Sequence, residues 1–418
     1  MKILFLTQWY LPEPLSYQSD LAETLRDQGH EVTVLTGFPN WPTGRLAPGY
    51  RIRLWQRETI NGVSVIRVPL YPDHSTSALR RILNFASLAF FATILGPWLV
   101  PACDVIHVNF PPVTLGFPAW VLSWLRRAPM TFEIQDLWPE TLEATGMVKN
   151  KRALAIVRWL ADWGYRRAAA IRVISPGFRE HLLGKGIAPE KIRVISNSVD
   201  TERHKPREPS AELAEKYGLS GRFNIMFAGT LGLPQGLDAV LAAAALLSDL
   251  PDVQFVFVGD GADLPRLRQM VRDRNIDNVR FVGRVPSSMM SDLYPLADVL
   301  LIHLRDSPVF RITIPHKIFT YMASARPILA AVEGDTANVV RAAQAGLTCT
   351  PGDAQSIADA VRRFHALSPA ERQAMGQNGR RATLESYQRK SLIARVAEMF
   401  DDVVRQSKPN DKRSKKMP

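Results

Sequence analysis

KILFLTQWYLPEPLSYQSDLAETLRDQGHEVTVLT, Lys2 to Thr36, opens the chain and decides its fold class. Lys2 to Thr7 is short and almost continuously apolar, the pattern of a strand buried on both faces. Tyr17, Leu21 and Leu25 then recur at helical spacing, Gly29 ends the helix, and Glu31 to Thr36 forms a second strand. Strand-like runs follow at Val63 to Val68, Val105 to Asn109, Met130 to Ile134, Ala170 to Ile174 and Ile192 to Ile195, with helical segments between them. Such alternation predicts a doubly wound α/β domain with a parallel sheet.

The alternation halts between Asp200 and Arg222, a polar, charged stretch with Pro206 and Pro209 that reads as a linker. It restarts with a strand at Phe223 to Ala228, a helix at Leu237 to Leu247, a strand at Val253 to Val258, a helix at Asp263 to Arg274, and strands at Val279 to Val282 and Val299 to His303. The expected organisation is an N-terminal Rossmann-like domain over 1–200, a linker over 201–222, a second Rossmann-like domain over 223–385, a C-terminal helix over 386–406 that packs back on the first domain, and a basic disordered tail over 407–418. At 418 residues two cores are expected, since a domain averages about 150 residues.

With 46% apolar and 22% charged residues the composition is that of a globular protein, and a net charge of +12 points to an anionic partner. Nucleic acid, a membrane surface and a phosphorylated small molecule all qualify. No base-reading module accompanies the scattered bases, so nucleic acid is disfavoured. Cys103 and Cys349 fall in different predicted domains and support neither a disulfide nor a zinc framework. The N-terminus runs straight into a strand without the longer apolar core of a signal peptide, which predicts a cytoplasmic protein.

Three segments carry candidate chemistry. In VFRITIPHKIFTYMASARPIL, Val309 to Leu329, Arg311 and Lys317 flank a turn, Pro315 suits the first turn of a helix, and Ala325-Arg326-Pro327 stops it. Bases beside a helix N-terminus form an anion site, and a solvated basic loop is the plainer alternative. Gly229-Thr230-Leu-Gly232-Leu-Pro-Gln235-Gly236 lies between a strand and a helix, where glycines let backbone amides approach a phosphate; Gly259-Asp-Gly261 is a second loop on the same sheet edge. Arg284 follows the next strand and is either a ligand contact or a surface arginine.

In the first half, Gln135, Asp136 and Glu140 follow a strand that carries Glu133, and an acid at such a strand end can orient a hydroxyl. An N-cap or turn role is the alternative for Asp136. The aromatic, proline-rich loops Gln8 to Pro14 and Gly37 to Arg45 supply Tyr10, Glu13, Asn40 and Trp41 as candidates for holding a sugar or lipid head, although such loops are also simply structural. His107 reads as a core histidine. No metal-ligand cluster, Walker motif or Ser/His/Asp set is present.

Ile82 to Val100, ILNFASLAFFATILGPWLV, approaches membrane-spanning length behind Arg80-Arg81. Asn84, Ser87, Thr93 and Gly96-Pro97, and the run through Pro101 into the next strand, argue against a span; a buried or half-buried helix of the Rossmann-like domain is the first reading and a helix in the bilayer interface the second. Val113 to Leu125, with Trp120 and Trp124 before Arg126-Arg127, strengthens the interfacial alternative, because aromatics beside bases suit a headgroup boundary.

Taken together, Met1 to Thr7 with Gln8-Trp-Tyr-Leu-Pro-Glu13, Gly29-His30-Glu-Val, Thr36 to Gly44, Asp136-Leu-Trp-Pro139, Asn197-Ser-Val-Asp200, Gly229 to Gly236, Gly259-Asp-Gly261 and Val309 to Leu329 resemble the family 4 glycosyltransferases of the GT-B fold. The likeness is to the bacterial transferases of O-antigen, capsule and exopolysaccharide assembly, in particular the N-acetyl-L-fucosamine transferase-like subgroup. The resemblance implies two Rossmann-like domains facing an interdomain cleft, and a retaining transfer from a nucleotide sugar, UDP-sugars favoured, to a polyprenyl-diphosphate-linked glycan at the inner face of the plasma membrane. No metal or other cofactor is implied, since bases, amides and a helix dipole hold the diphosphate in that family.

Carried over residue by residue, the resemblance makes Asp136, Gln135 and Arg311 the catalytic set. Gly229, Thr230, Gln235, Gly236, Gly259, Gly261, Arg284, Lys317 and Thr320 form the donor site, and Tyr10, Glu13, Asn40 and Trp41 the acceptor site. The chain departs from the family at several positions. The paired glutamates would fall at Ile312 and Thr320, the loop Arg and Lys at Thr230 and Gln235, and the histidine before Asp136 at Gln135. These departures motivate an alternative, a catalytically degenerate subunit that binds a partner transferase.

Overall fold

The structure, a computed structural model, describes residues 1–14, 17–75 and 77–407. Beyond Ser407 the expected basic tail lies outside the described residues. The chain forms two compact units: residues 1–174 and 178–195 with the segment from Ile393 onward, and residues 175–177 with 196–392.

The first unit is built on an eight-stranded sheet. Its strands are β1 (Lys2–Leu6), β2 (Glu31–Gly37), β3 (Gln56–Ile60), β4 (Val63–Val68), β5 (Val105–Phe110), β6 (Met130–Ile134), β7 (Ala170–Val173) and β8 (Ile192–Val194), in the order β3-β4-β2-β1-β5-β6-β7-β8. All neighbours run parallel except β3 and β4, an antiparallel hairpin whose Asn61-Gly62 turn has φ of 47° and 75° at its two residues. Positive φ at both positions is what a tight hairpin with right-handed strand twist requires, and Asn-Gly meets it at low cost. Central strands are buried along their whole length, which explains why they read as apolar runs. Phe110 and Phe132 stack at 4.9 Å in the core.

The second unit has six parallel strands: β9 (Phe223–Ala228), β10 (Val253–Val258), β11 (Val279–Gly283), β12 (Val299–His303), β13 (Ile328–Ala331) and β14 (Gly346–Cys349), ordered β11-β10-β9-β12-β13-β14. The chain winds outward from β9 in one direction and then from β12 in the other. The winding direction thus reverses between β9 and β12, and the carboxyl edge at such a switch point is where open α/β sheets bind ligands. Phe227, Phe257, Leu237, Val240, Leu301 and Phe364 belong to the core beneath it.

Two local readings change. The polar stretch expected as a linker carries a helix, Ala211–Tyr217, capped by the Ser210 hydroxyl, which accepts from Leu213 N, and closed by Gly218 at φ 67°. The helix expected to open at Pro315 begins at Lys317 and ends at Ala323, with His316 at its N-cap. Ala325 at φ 55° turns the chain out of it.

Candidate active site

In the second unit, the loop after β9 and the loop after β10 meet backbone to backbone. Gly229 N–H donates to Val258 O (2.9 Å), Leu231 N–H to Asp260 O (2.9 Å) and Asp263 N–H to Leu231 O (3.0 Å). A Cβ on Gly259 would stand 1.9 Å from Gly229 O, and one on Gly261 2.2 Å from Leu231 O. No side chain fits at either position, so both glycines are required by close approach.

Beneath this loop sits Lys317. A Cβ on Gly229, which has φ +138°, would lie 2.9 Å from Lys317 Nζ. The ammonium is half-buried and rests over the Phe227 ring at 3.8 Å from its centroid. That cation–π contact is its only partner among the described residues; no carboxylate or carbonyl takes its protons. Burial pulls its pKa down to about 7. The next turn of the same helix is held by Tyr321, whose hydroxyl accepts from Ala228 N (2.9 Å) and donates to Ala228 O (3.2 Å), fixing the lysine against the end of β9. Thr320 is buried, and its hydroxyl donates to Lys317 O at 2.8 Å.

Gln235 closes the loop on itself, its Oε1 accepting from Gly232 N at 3.2 Å. Its carbonyl accepts from His303 Nδ1 at 2.5 Å, while His303 Nε2 accepts from Gly352 N at 3.1 Å. A carbonyl can only accept, so His303 is the neutral Nδ1–H tautomer, and burial lowers its pKa in agreement. Gly236, at φ +56°, leads into the helix Leu237–Ala245, whose first-turn amides face this edge. Beside Gly236 lies Arg305, exposed and without a hydrogen bond or ion pair through its side chain among the described residues. Sequence reasoning passed over Arg305; its signal was a base two residues past the end of a central strand.

Arg311 is differently placed. Its guanidinium donates to both Asp306 oxygens at 2.7 and 2.9 Å and approaches Glu333 at 3.2 Å, so its charge is already compensated. Arg284 is exposed and no contact joins it to the lysine or the glycine loops. Among the sequence candidates the structure thus brings together Gly229, Gly259, Gly261, Lys317 and Thr320 around the end of β9, with Gln235 and Gly236 beside β12. Thr230 sits on the exposed side of the loop.

In the first unit, Glu13 is buried and accepts three backbone amides, Tyr10 at 3.0 Å and Asn40 and Trp41 at 2.8 Å each. These bonds tie the loop after β1 to the loop after β2. Gln8 donates to Asn84 Oδ1 (2.9 Å), and Asn84 in turn donates to Asn40 Oδ1 (3.3 Å) and Tyr71 O (2.7 Å). Tyr10, Glu13 and Asn40 are buried; Trp41 reaches solvent and meets His74 edge-on at 6.2 Å.

Glu133 is internal, accepting from Arg172 (2.7 Å), His107 (3.2 Å) and Gln135 Nε2 (2.5 Å). This buried network fixes Gln135 and makes His107 a structural residue, as its sequence context suggested. Asp136, next along, projects outward, has no hydrogen-bond partner among the described residues, and is pushed up to about 6 by the protein crowding it. Among the acidic and basic sequence candidates, this carboxyl group near 6 and the Lys317 amine near 7 are both perturbed and unpaired within the described residues, a pattern found at ligand sites. Among the described residues no cluster of His, Cys, Asp or Glu could hold a metal ion.

Residues 15–198 match the Glycosyl transferase 4-like domain, and residues 222–366 match Glycosyl transferases group 1. The candidate colanic acid biosynthesis glycosyl transferase WcaI of Escherichia coli K12 is 27% identical, over 72% of this chain and 76% of its own length. The probable glycosyltransferase WbjE of Pseudomonas aeruginosa is 25% identical over 61% and 62%. Among solved structures, sucrose-phosphate synthase from Thermosynechococcus elongatus superposes with a TM-score of 0.76 at 19% identity, covering 97% of this chain and all of that one. Anabaena HepE in complex with UDP-glucose superposes with a TM-score of 0.73 at 18% identity, covering 96% of this chain and 100% of that one. The fold is GT-B.

Proposed function

We propose that this chain, which carries both glycosyltransferase domains on a GT-B fold, moves a sugar with retention of configuration from a nucleotide sugar to a polyprenyl-diphosphate-linked glycan. The donor in this reading is a UDP-sugar, with an N-acetylhexosamine as the first candidate. The work belongs to surface polysaccharide synthesis at the cytoplasmic face of the membrane. One observation carries the reading: a half-buried ammonium, Lys317, lies under a glycine loop at the switch point of the second sheet with no acid to neutralise it. A desolvated cation without a counterion favours an anionic ligand, and backbone amides beside it suit a diphosphate. The UDP-glucose complex of HepE and the colanic acid role named for WcaI support the donor and product classes.

In the reaction, the bond from the anomeric carbon to the phosphate oxygen breaks and a bond to the acceptor hydroxyl forms on the same face. The departing phosphate oxygen takes the hydroxyl proton. Lys317 holds and neutralises the leaving diphosphate, and binding that dianion returns its pKa upward, keeping it charged. Arg305 adds a second free cation at the helix Leu237–Ala245. Asp136, with Gln135 fixed by Glu133, positions sugar or acceptor hydroxyls. Neither a protein nucleophile nor a metal enters this scheme.

One feature favours the alternative of a degenerate, partner-binding subunit. Where the family keeps a glutamate for the donor, Thr320 turns its hydroxyl onto the carbonyl of Lys317 and offers little to a ligand. Calorimetric titration with UDP- and GDP-sugars separates the readings. Micromolar to millimolar binding followed by transfer to a lipid-linked acceptor is expected; binding without transfer across donors supports the subunit, and no binding at all removes the transferase reading.

A further inference from the structure

Three helices of the first unit, Ala78–Leu99, Gly116–Arg126 and Lys151–Arg167, pack against one another in that order. Each buries one side and exposes another; the exposed sides of the first two are largely apolar, and that of the third sets Ile156 and Trp159 among bases. On the first, Asn84, Leu88, Ala92 and Gly96 face inward at intervals of four, while Ile82, Phe90, Ile94 and Trp98 face out. The second exposes Phe117, Trp120 and Trp124; the third exposes Ile156 and Trp159. Trp98 is 87% exposed, Trp124 74% and Trp159 62%. Phe117 and Trp120 meet Trp163 at 6.5 and 5.9 Å, so the aromatic surface runs from the second helix onto the third. Soluble surfaces scatter single apolar residues; a row across three adjacent helices marks an interaction face.

Its charge says what the face meets. The three helices carry eight Lys and Arg and one acid, Asp162. Seven of the eight sit toward the helix ends, Arg80 and Arg81, Arg126, Lys151 and Arg152, and Arg166 and Arg167, while Arg158 lies mid-helix, 4.0 Å from Glu143. Arg126 donates to Pro97 O at 2.8 Å and Val100 O at 2.5 Å, fastening together the two helix ends that carry Trp98 and Trp124. Arg167 lies over the Trp163 ring at 4.3 Å. Exposed tryptophans and aliphatic residues flanked by bases, with a single acid, match acyl chains beside anionic headgroups, not the balanced charges of a protein surface.

We propose that this three-helix face docks the first unit on an anionic lipid bilayer, with Trp98, Trp124 and Trp159 inserted at the level of the headgroups and the flanking bases on lipid phosphates. The helix Leu79–Leu99 is apolar and long enough to cross a bilayer, with a mean hydropathy of 1.7. It nevertheless packs on β2 and β4 and buries Asn84 in a hydrogen-bonded network, so it lies along the surface as part of the fold. The choice of a bilayer rather than a second copy of the chain rests on the lipid-linked acceptor proposed above. The third helix was absent from the sequence argument, because its exposed stripe, Ile156, Trp159 and the half-exposed Trp163, is diluted by Asp162 and five bases.

The full chain is sedimented with vesicles of phosphatidylglycerol and phosphatidylcholine, and with phosphatidylcholine alone, while UDP-sugar binding is measured on the same samples. The parent is expected to sediment with the anionic vesicles. Trp98→Ser/Trp124→Ser/Trp159→Ser should lose about tenfold or more in partitioning at unchanged thermal midpoint and nucleotide binding. Arg127→Glu and Lys151→Glu should each lose about fivefold, on anionic vesicles only. A parent that binds nucleotide but not vesicles, or a triple tryptophan variant that sediments like the parent, overturns the proposal. So does a parent that self-associates through these tryptophans and ignores vesicles. A parent that sediments without binding any nucleotide leaves the face standing and removes the donor reading instead.

Discussion

The two units share a sheet plan but treat their carboxyl edges in opposite ways. In the first, the loops after β1 and β2 consume their own polar groups: Glu13 takes three amides and Gln8, Asn84 and Asn40 bond one another. In the second, the edge is made of glycine backbone and leaves an ammonium with only an aromatic ring for company. One edge is a braced wall and the other an open anion socket. Local stability and ligand affinity should therefore be separable by mutation.

The sharpest way to break the contrast is Lys317→Ala, expected to weaken nucleotide-sugar binding by about 100-fold or more in calorimetry. Lys317→Met should do the same while raising the thermal midpoint near neutral pH. A lysine whose folded pKa lies below its unfolded value costs stability while the unfolded chain holds the extra proton, from high pH down, and most fully below pH 7. Equal binding by parent and variant would move the socket elsewhere.

Glu13→Ala tests the braced wall. Three buried amides lose their acceptor, which should cost about 3 kcal/mol in denaturant unfolding of the first unit. UDP-sugar affinity should not change, and a large loss of affinity would show that the two edges are not independent.

A smaller effect is the pH dependence. Only protonated Lys317 attracts the diphosphate, so affinity should be full well below pH 7 and fall by about 30-fold by pH 8.5 in the parent, with proton uptake visible in calorimetry at the higher pH. A flat profile would mean that another cation holds the donor. Smallest of all, Arg284→Ala should change donor affinity by less than about twofold, as an exposed arginine outside the glycine cluster ought.

Much of this contrast was written plainly in the chain. The central strands were legible because burial on both faces demands runs such as Phe223 to Ala228, and the glycine loop was legible because it sits between such a strand and an apolar helix. Short or polar elements were not. β3 (QRETI) is half exposed, and β13 and β14 have four residues each, too few to set a period. The helix Ala211–Tyr217 had its Ser210 cap and closing Gly218 in view, but the prolines before it dominated the reading.

At the site, Lys317 and the glycines could be chosen from residue type and position. Sequence could not say that Arg311, equally basic, would be held by Asp306 and Glu333, since Glu333 arrives from beyond the next strand. Nor could it show that Glu13 would turn inward. Pairing decided over many residues is a property of packing, invisible in local pattern.

The backbone contact between Gly259 and Gly229 also bears on how such a protein can diversify. Because Gly259 and Gly261 leave no room for a Cβ where the two loops meet, random mutagenesis has almost nothing at that contact to alter without breaking it. New donor preferences would have to be selected at the socket's rim, at Thr230 and Arg305, where substitutions leave that contact intact. A library restricted to those two positions should return many folded proteins with changed sugar discrimination, whereas one aimed at the glycines should return mostly unfolded or silent clones.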